Sequence, residues 1–179
     1  MKNLLQTLCG LFLVVFYSSC MNSGDNRVDV LIVGGGASGV TSGIQAARMG
    51  ANTLILEETT WLGGMLTSAG VSAVDGNYRL PAGLWGEFKN RLSDYYGGLD
   101  SLKTGWVSNV LFEPSVGNKI FHEMVSAEKN LKVWKQTRLE EVKRVGDEWI
   151  AKVNVEGQGM KTVRSKVMID ATELGDVRS

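Results

Sequence analysis

The sequence predicts an α/β fold, a parallel sheet with an antiparallel β-meander added to it. Three observations predict it. A run of Val, Leu and Ile over Val28–Val33 leads straight into Gly34-x-Gly36-x-x-Gly39. A helical period follows, then a second apolar strand that closes on an acid, Thr53-Leu-Ile-Leu-Glu57. Later, several β-like runs are separated by glycine turns. The chain has 179 residues, formal net charge zero and 44% hydrophobic content, a globular composition for about one domain.

The first twenty residues stand apart. Met1-Lys-Asn is short and positive, Leu4–Phe16 is almost wholly apolar, and Tyr17-Ser-Ser-Cys20 closes the run with small residues and a cysteine. This is the layout of a secretory signal, too short to span a bilayer comfortably. Its end resembles a bacterial lipobox, which makes Cys20 a candidate for lipidation, although Tyr17 stands where Leu is usual; an ordinary signal peptide cleaved nearby is the alternative. Residues 21–27 then form a polar tether. The expected location is outside the cytoplasm, periplasmic or on the outer membrane through a lipid anchor. No twin-arginine pair is present, so a Sec-type route is implied. Cys9 and Cys20 are the two cysteines of the chain, so the remainder has no internal disulfide, no Cys metal site and no CxxC dithiol.

Residues 28–179 read as one dinucleotide-binding domain, Rossmann-like in type. A strand as continuously apolar as Val28–Val33 is expected where both sheet faces are covered. Gly34 permits the sharp turn, Gly36 lets backbone approach phosphates, and Gly39 lets the helix pack closely on the strand. The helix is expected from about Ala37 to Met49, with Val40, Ile44, Ala47 and Met49 on its apolar stripe and Gly50 as its stop. Its first turn, Ala37, Ser38 and Gly39, offers N–H groups and a positive dipole end to an anion. Glu57 lies at roughly the 20-residue spacing expected of an acid that binds a ribose hydroxyl, with Glu58 as fallback. A glycine motif alone is weak, but here strand, helix and acid accompany it.

In Trp61-Leu-Gly-Gly-Met-Leu-Thr67, Gly63 and Gly64 allow backbone N–H groups to face a ligand, and the Thr67 hydroxyl is a possible donor to a ring or phosphate oxygen. A plain mobile loop is the bland alternative. A helical insertion is expected over about residues 75–113: Pro81 opens a helix carrying Leu84, Phe88, Leu92 and Tyr95 or Tyr96, and Gly97-Gly98 ends it. That aromatic stripe reads as packing. Pro114 opens another helix, with Val116, Ile120, Met124 and Ala127 on one face. It carries His122, the chain's single histidine, which reads as structural rather than as a catalytic base. Strands are expected at Leu131–Lys135, Arg138–Val145, Trp149–Val155 and Met160–Val163, then at Val167–Asp170.

These residues together resemble the flavin-dependent oxidoreductases with a glutathione-reductase-type FAD domain, and most nearly the bacterial FAD-dependent oxidoreductases. Three motifs carry the resemblance: the Gly34/Gly36/Gly39 loop with Glu57; Gly63-Gly-Met-Leu-Thr67; and Ile169-Asp-Ala-Thr-Glu-Leu-Gly-Asp176. The last departs from the commoner pattern by placing Glu173 where many members have Gly. The resemblance implies FAD as cofactor. It places Gly34, Gly36 and Gly39 at the pyrophosphate, Glu57 at the adenosine ribose, and Gly63, Gly64 and Thr67 on the flavin side. Ala171 and Thr172 then pass the pyrophosphate, and Gly175 and Asp176 approach the ribityl phosphate. Members of the family are much longer, and the apolar strand ending at Asp170 has no covering helix after it, so an N-terminal fragment with an open apolar face is expected.

The expected function is the FAD-binding portion of an oxidoreductase that passes a hydride from a small organic substrate to flavin. The alternatives are a truncated nucleotide-binding module without turnover and a membrane-tethered interaction protein. Scattered Lys and Arg at zero net charge exclude a nucleic-acid footprint.

Overall fold

The computed structural model describes residues 26–76, 78–175 and 177; the leader with Cys20, the start of the tether and Asp176 lie outside the described residues. Strand β1 (Asn26–Val33) runs into helix α1 (Ala37–Arg48), followed by β2 (Thr53–Leu56), α2 (Gly83–Tyr96) and α3 (Pro114–Ser126). Strands β3 (Leu131–Trp134), β4 (Thr137–Val145), β5 (Glu148–Val155) and β6 (Gly159–Asp170) complete the order. They form a six-stranded sheet ordered β3-β2-β1-β6-β5-β4. β3, β2, β1 and β6 are parallel, whereas β6, β5 and β4 form an antiparallel meander.

The apolar run of β1 serves two cores because alternate side chains point to opposite faces. Ile32 on β1 and Ile55 on β2 join Val40, Ile44 and Ala47 of α1 and Ile120 and Met124 of α3 in one core. Leu31, Val33, Leu54 and Leu56 point the other way and pack on Ala151, Val153, Val155 and Val163 from the meander. Leu31 is 0% exposed and Leu56 1% exposed. On that face of β1 and β2 the covering layer is the meander rather than a helix. The expected open face is found on β6 itself: Val167, in register with Val30 on the helix side, is 50% exposed, and Met168 and Ile169 are only half-buried.

The two expected strands at Met160–Val163 and Val167–Asp170 are one strand. Its first part pairs with β5 through Ser165, and its later part pairs with β1 from Val163 to Asp170. Met49 and Ala127 also depart from expectation: each is a helix C-cap rather than a core position, and Met49 is 79% exposed. In the 75–113 region the aromatic stripe packs, with Phe88 stacked on Phe121 at 4.5 Å between centroids and edge-on to Phe112 at 5.5 Å. Gly97, at φ 79°, ends α2 in the left-handed cap that glycine favours. Among the described residues no helix is long and apolar enough to cross a membrane.

A glycine-walled cleft at the carboxyl ends of the parallel strands

The chain leaves β1 through a turn that two glycines make possible. Gly34 has φ 101°, and a Cβ there would sit 2.5 Å from the Ala171 carbonyl oxygen. A Cβ on Gly39 would sit 1.9 Å from the Gly34 carbonyl oxygen, so α1 rests directly on the turn. The turn is stitched on both sides, by Gly34 N–H to the Leu56 carbonyl at 2.9 Å and Ala171 N–H to the Val33 carbonyl at 2.8 Å.

Gly36 plays a different part. It is the N-cap of α1 with φ −63° and no side-chain cap, and a Cβ there would meet nothing within 4 Å. The start of α1 therefore faces open space. This is the geometry in which helix N–H groups receive an anion. Ala37, Ser38 and Gly39 form its first turn.

Glu57 is anchored to the same loop. Its Oε2 accepts the Gly35 N–H at 2.8 Å and its Oε1 accepts the Thr59 N–H at 2.7 Å. Each carboxylate oxygen keeps a further lone pair for a ligand hydroxyl. Glu58, the fallback, also lines the cleft.

The Gly63-Gly64 segment lies alongside. Gly63 N–H donates to the Gly35 carbonyl at 2.8 Å, and a Cβ on Gly63 would sit 2.6 Å from the Phe121 ring. A Cβ on Gly64 would sit 3.1 Å from the Gly36 Cα, so Gly64 forms the cleft wall beside the first loop. Thr67 departs from the expected ligand-facing position. It is 1% exposed, and its hydroxyl donates to the Leu62 carbonyl at 2.6 Å, so it buttresses the loop from behind. Asn118 on α3 assists by accepting the Leu62 N–H at 2.9 Å, a role that nothing in its local sequence announces.

The opposite wall comes from the end of β6. Ala171 and Thr172 line the cleft, and Asp170 Oδ1 holds the turn by accepting the Thr172 N–H at 3.0 Å and its hydroxyl at 2.7 Å. Gly175 adopts φ 73° and is not a lining residue. Thr137 and Leu139 of β4 also line the cleft, and Thr137 N–H donates to the Glu57 carbonyl at 2.9 Å. Sequence reading missed both, because the curl of the meander brings them there.

The cleft holds about 520 Å³ and opens to solvent. Its charged lining residues among those described are Glu57, Glu58 and Glu173. Attraction for phosphate therefore comes from backbone N–H groups and the α1 dipole. Uncapped helix, open Gly36 and anchored acid together fit a dinucleotide pyrophosphate with its ribose. His122 does not line this cleft; its pKa is lowered by burial and, secondarily, by the Lys135 charge. No group of His, Cys, Asp and Glu able to hold a metal occurs among the described residues.

Comparison with solved structures shows the same fold at low identity. An L-proline dehydrogenase from P. horikoshii is 21% identical with a TM-score of 0.50, over 82% of this chain and 23% of that one. A flavoprotein/dehydrogenase from Cytophaga hutchinsonii is 16% identical with a TM-score of 0.56, over 84% and 40%. The bacillithiol disulfide reductase Bdr from Bacillus cereus is 15% identical with a TM-score of 0.54, over 82% and 40%. The chain thus spans well under half the length of these proteins. No curated protein matches it. Residues 29–179 match the family described as FAD dependent oxidoreductase. With that match over most of its length, the chain belongs to the FAD dependent oxidoreductase family, and FAD is its cofactor.

Proposed function

We propose that this chain forms the FAD-binding portion of an oxidoreductase whose complete form passes a hydride from a small organic substrate to the flavin, with an FAD domain of the glutathione-reductase type. The observation that carries the assignment is Gly36: an uncapped helix start facing open space, next to an acid tied to the same loop. When bound, FAD supplies the electron chemistry. The chain's own residues bind and orient it. Gly34 and Gly39 set the turn, and Gly36 with the N–H groups of Ala37 and Ser38 receives the pyrophosphate. Glu57 accepts ribose hydroxyls while Gly35 and Thr59 hold it in place. Gly63 and Gly64 lie toward the flavin, buttressed by Thr67 and Asn118. Ala171 and Thr172 close the phosphate side.

The test is FAD titration of the purified chain, read by quenching of flavin fluorescence. At Gly36 the backbone suits any L-residue and a Cβ meets no protein atom, so Gly36→Val keeps the fold and fills phosphate space. The expected result is a loss of FAD affinity of roughly 100-fold, about 2.7 kcal/mol, with an unchanged circular dichroism spectrum. Undiminished FAD capture by the variant would refute the assignment.

We further propose export and lipidation at Cys20, supported by the charged, apolar and small-residue order of the leader. Palmitate labelling in a bacterial host reads this out. Label is expected on the wild-type chain and lost in Cys20→Ser; equal labelling of both would exclude the site.

A further inference from the structure

A second cavity, of about 240 Å³, lies in the 75–113 region and shares no lining residue with the FAD cleft. It is smaller than the roughly 300–1,000 Å³ of drug-sized sites, so its occupant is small. Three cations line it: Arg79, Lys89 and Lys103. Lys103 is paired with Asp100 at 2.8 Å. The other two have no carboxylate partner among the described residues.

Lys89 is the unusual one. It sits on α2 and is 8% exposed. Its Nζ donates to the Tyr78 and Leu80 carbonyls at 2.8 and 2.9 Å and lies 5.8 Å from the centre of the Trp85 ring. An ammonium has three protons, and the two carbonyls take two. Carbonyls and a ring solvate a buried cation without neutralising it, and a buried charge is ordinarily paired. Arg79 is exposed and held in place locally: its Nε donates to the Tyr78 hydroxyl at 3.1 Å and its guanidinium lies 5.4 Å from that ring's centre. Those contacts leave the terminal nitrogens of its fork uncommitted, and that fork matches a carboxylate. The cavity floor is apolar: Leu99, 48% exposed, offers its surface, with Leu102 and Val110 buried in the lining, and Asn109 adds an amide at the wall.

We propose that this cavity is a binding site for a small organic carboxylate, its anionic head between Arg79 and Lys89 and its apolar body on Leu99. The charge excess calls for an anion, and the apolar floor favours an amphiphilic carboxylate over a free inorganic ion. The site is independent of FAD binding.

Isothermal titration of the full chain with hexanoate tests it, with hexanamide and inorganic phosphate as comparison probes. Saturable hexanoate binding is expected, with no measurable hexanamide binding and weaker phosphate binding. Arg79→Gln is exposed and should fold normally; it is expected to weaken hexanoate binding at least tenfold while FAD titration is unchanged. Lys89→Met tests the buried cation where it folds, and Arg79→Gln decides if it does not. Absence of saturable hexanoate binding, equal binding by Arg79→Gln, or equal binding of hexanamide would overturn the proposal. Phosphate binding tighter than hexanoate would overturn the carboxylate assignment. None of these outcomes bears on the FAD cleft, which the separate FAD titration reads.

Discussion

At the scale of single residues, glycines do most of the positioning, each for its own reason. Gly34 needs a positive φ and Gly39 needs a bare Cα, whereas Gly36 needs neither and is open toward the cleft. Spacing alone made the turn at Gly34 and the close packing at Gly39 legible, because the motif couples each position to one geometric demand. Thr67 was not legible: a hydroxyl in a glycine loop reads the same whether it faces a ligand or a carbonyl behind it. His122 gives a residue-scale prediction. Burial lowers its pKa below the ordinary value of about 6.5, so the unfolded chain binds more protons there. This contribution makes stability rise with pH across the window between the folded pKa and about 6.5, and fall as pH drops through it. Urea midpoints measured from about pH 7 to pH 5 are expected to decline, and His122→Gln to flatten that decline; an identical slope in the variant would dismiss it.

At the scale of elements, β6 is the instructive case. Reading from sequence broke it at Arg164-Ser-Lys166, where polar residues interrupt the apolar pattern. The break marks the place where the strand passes from one neighbour to another: Ser165 pairs with both Val28 and Trp149. A serine crowded between two strands suffers an unusual burial, 0% exposed, and its hydroxyl has no hydrogen-bond partner among the described residues. An unsatisfied buried hydroxyl costs about 1–3 kcal/mol. Ser165→Ala is therefore expected to stabilise the chain by about 1 kcal/mol in chemical denaturation; a destabilised variant would mean that the hydroxyl has a role in the fold. The helices were easier to read. α1 and α3 each carry a stripe that matches their buried faces, and only their last stripe residues, Met49 and Ala127, fall at the caps.

At the scale of the whole molecule, two cores share one sheet, and the cleft lies where β1, β2 and β6 end. The parallel half with its glycine loop was legible, since alternation in β1 and β2 is local. The curl of the meander over the second face was not, because it depends on contacts between distant segments. That is why Thr137 and Leu139 were missed as cleft residues. The acidic lining has a similar origin: Glu58 and Glu173 come from separate strand ends that meet only in the folded chain.

The long strand β6 also dictates an order of assembly. Lys166 and Asp29 are 137 residues apart in sequence and form an ion pair at 2.7 Å. Ala171 clamps the turn at Gly34. During synthesis the first loop to be made is thus the last to be seated, and pairing at such distance forms late. A nascent chain has no finished cofactor cleft until the residues after β6 emerge. A chain ending at Lys166 is expected to retain no FAD, which an absorbance spectrum after FAD addition and desalting reveals; a yellow truncated chain would show that the loop seats itself. In a cell, the cofactor thus marks chains whose synthesis has passed β6 and ignores those arrested before it.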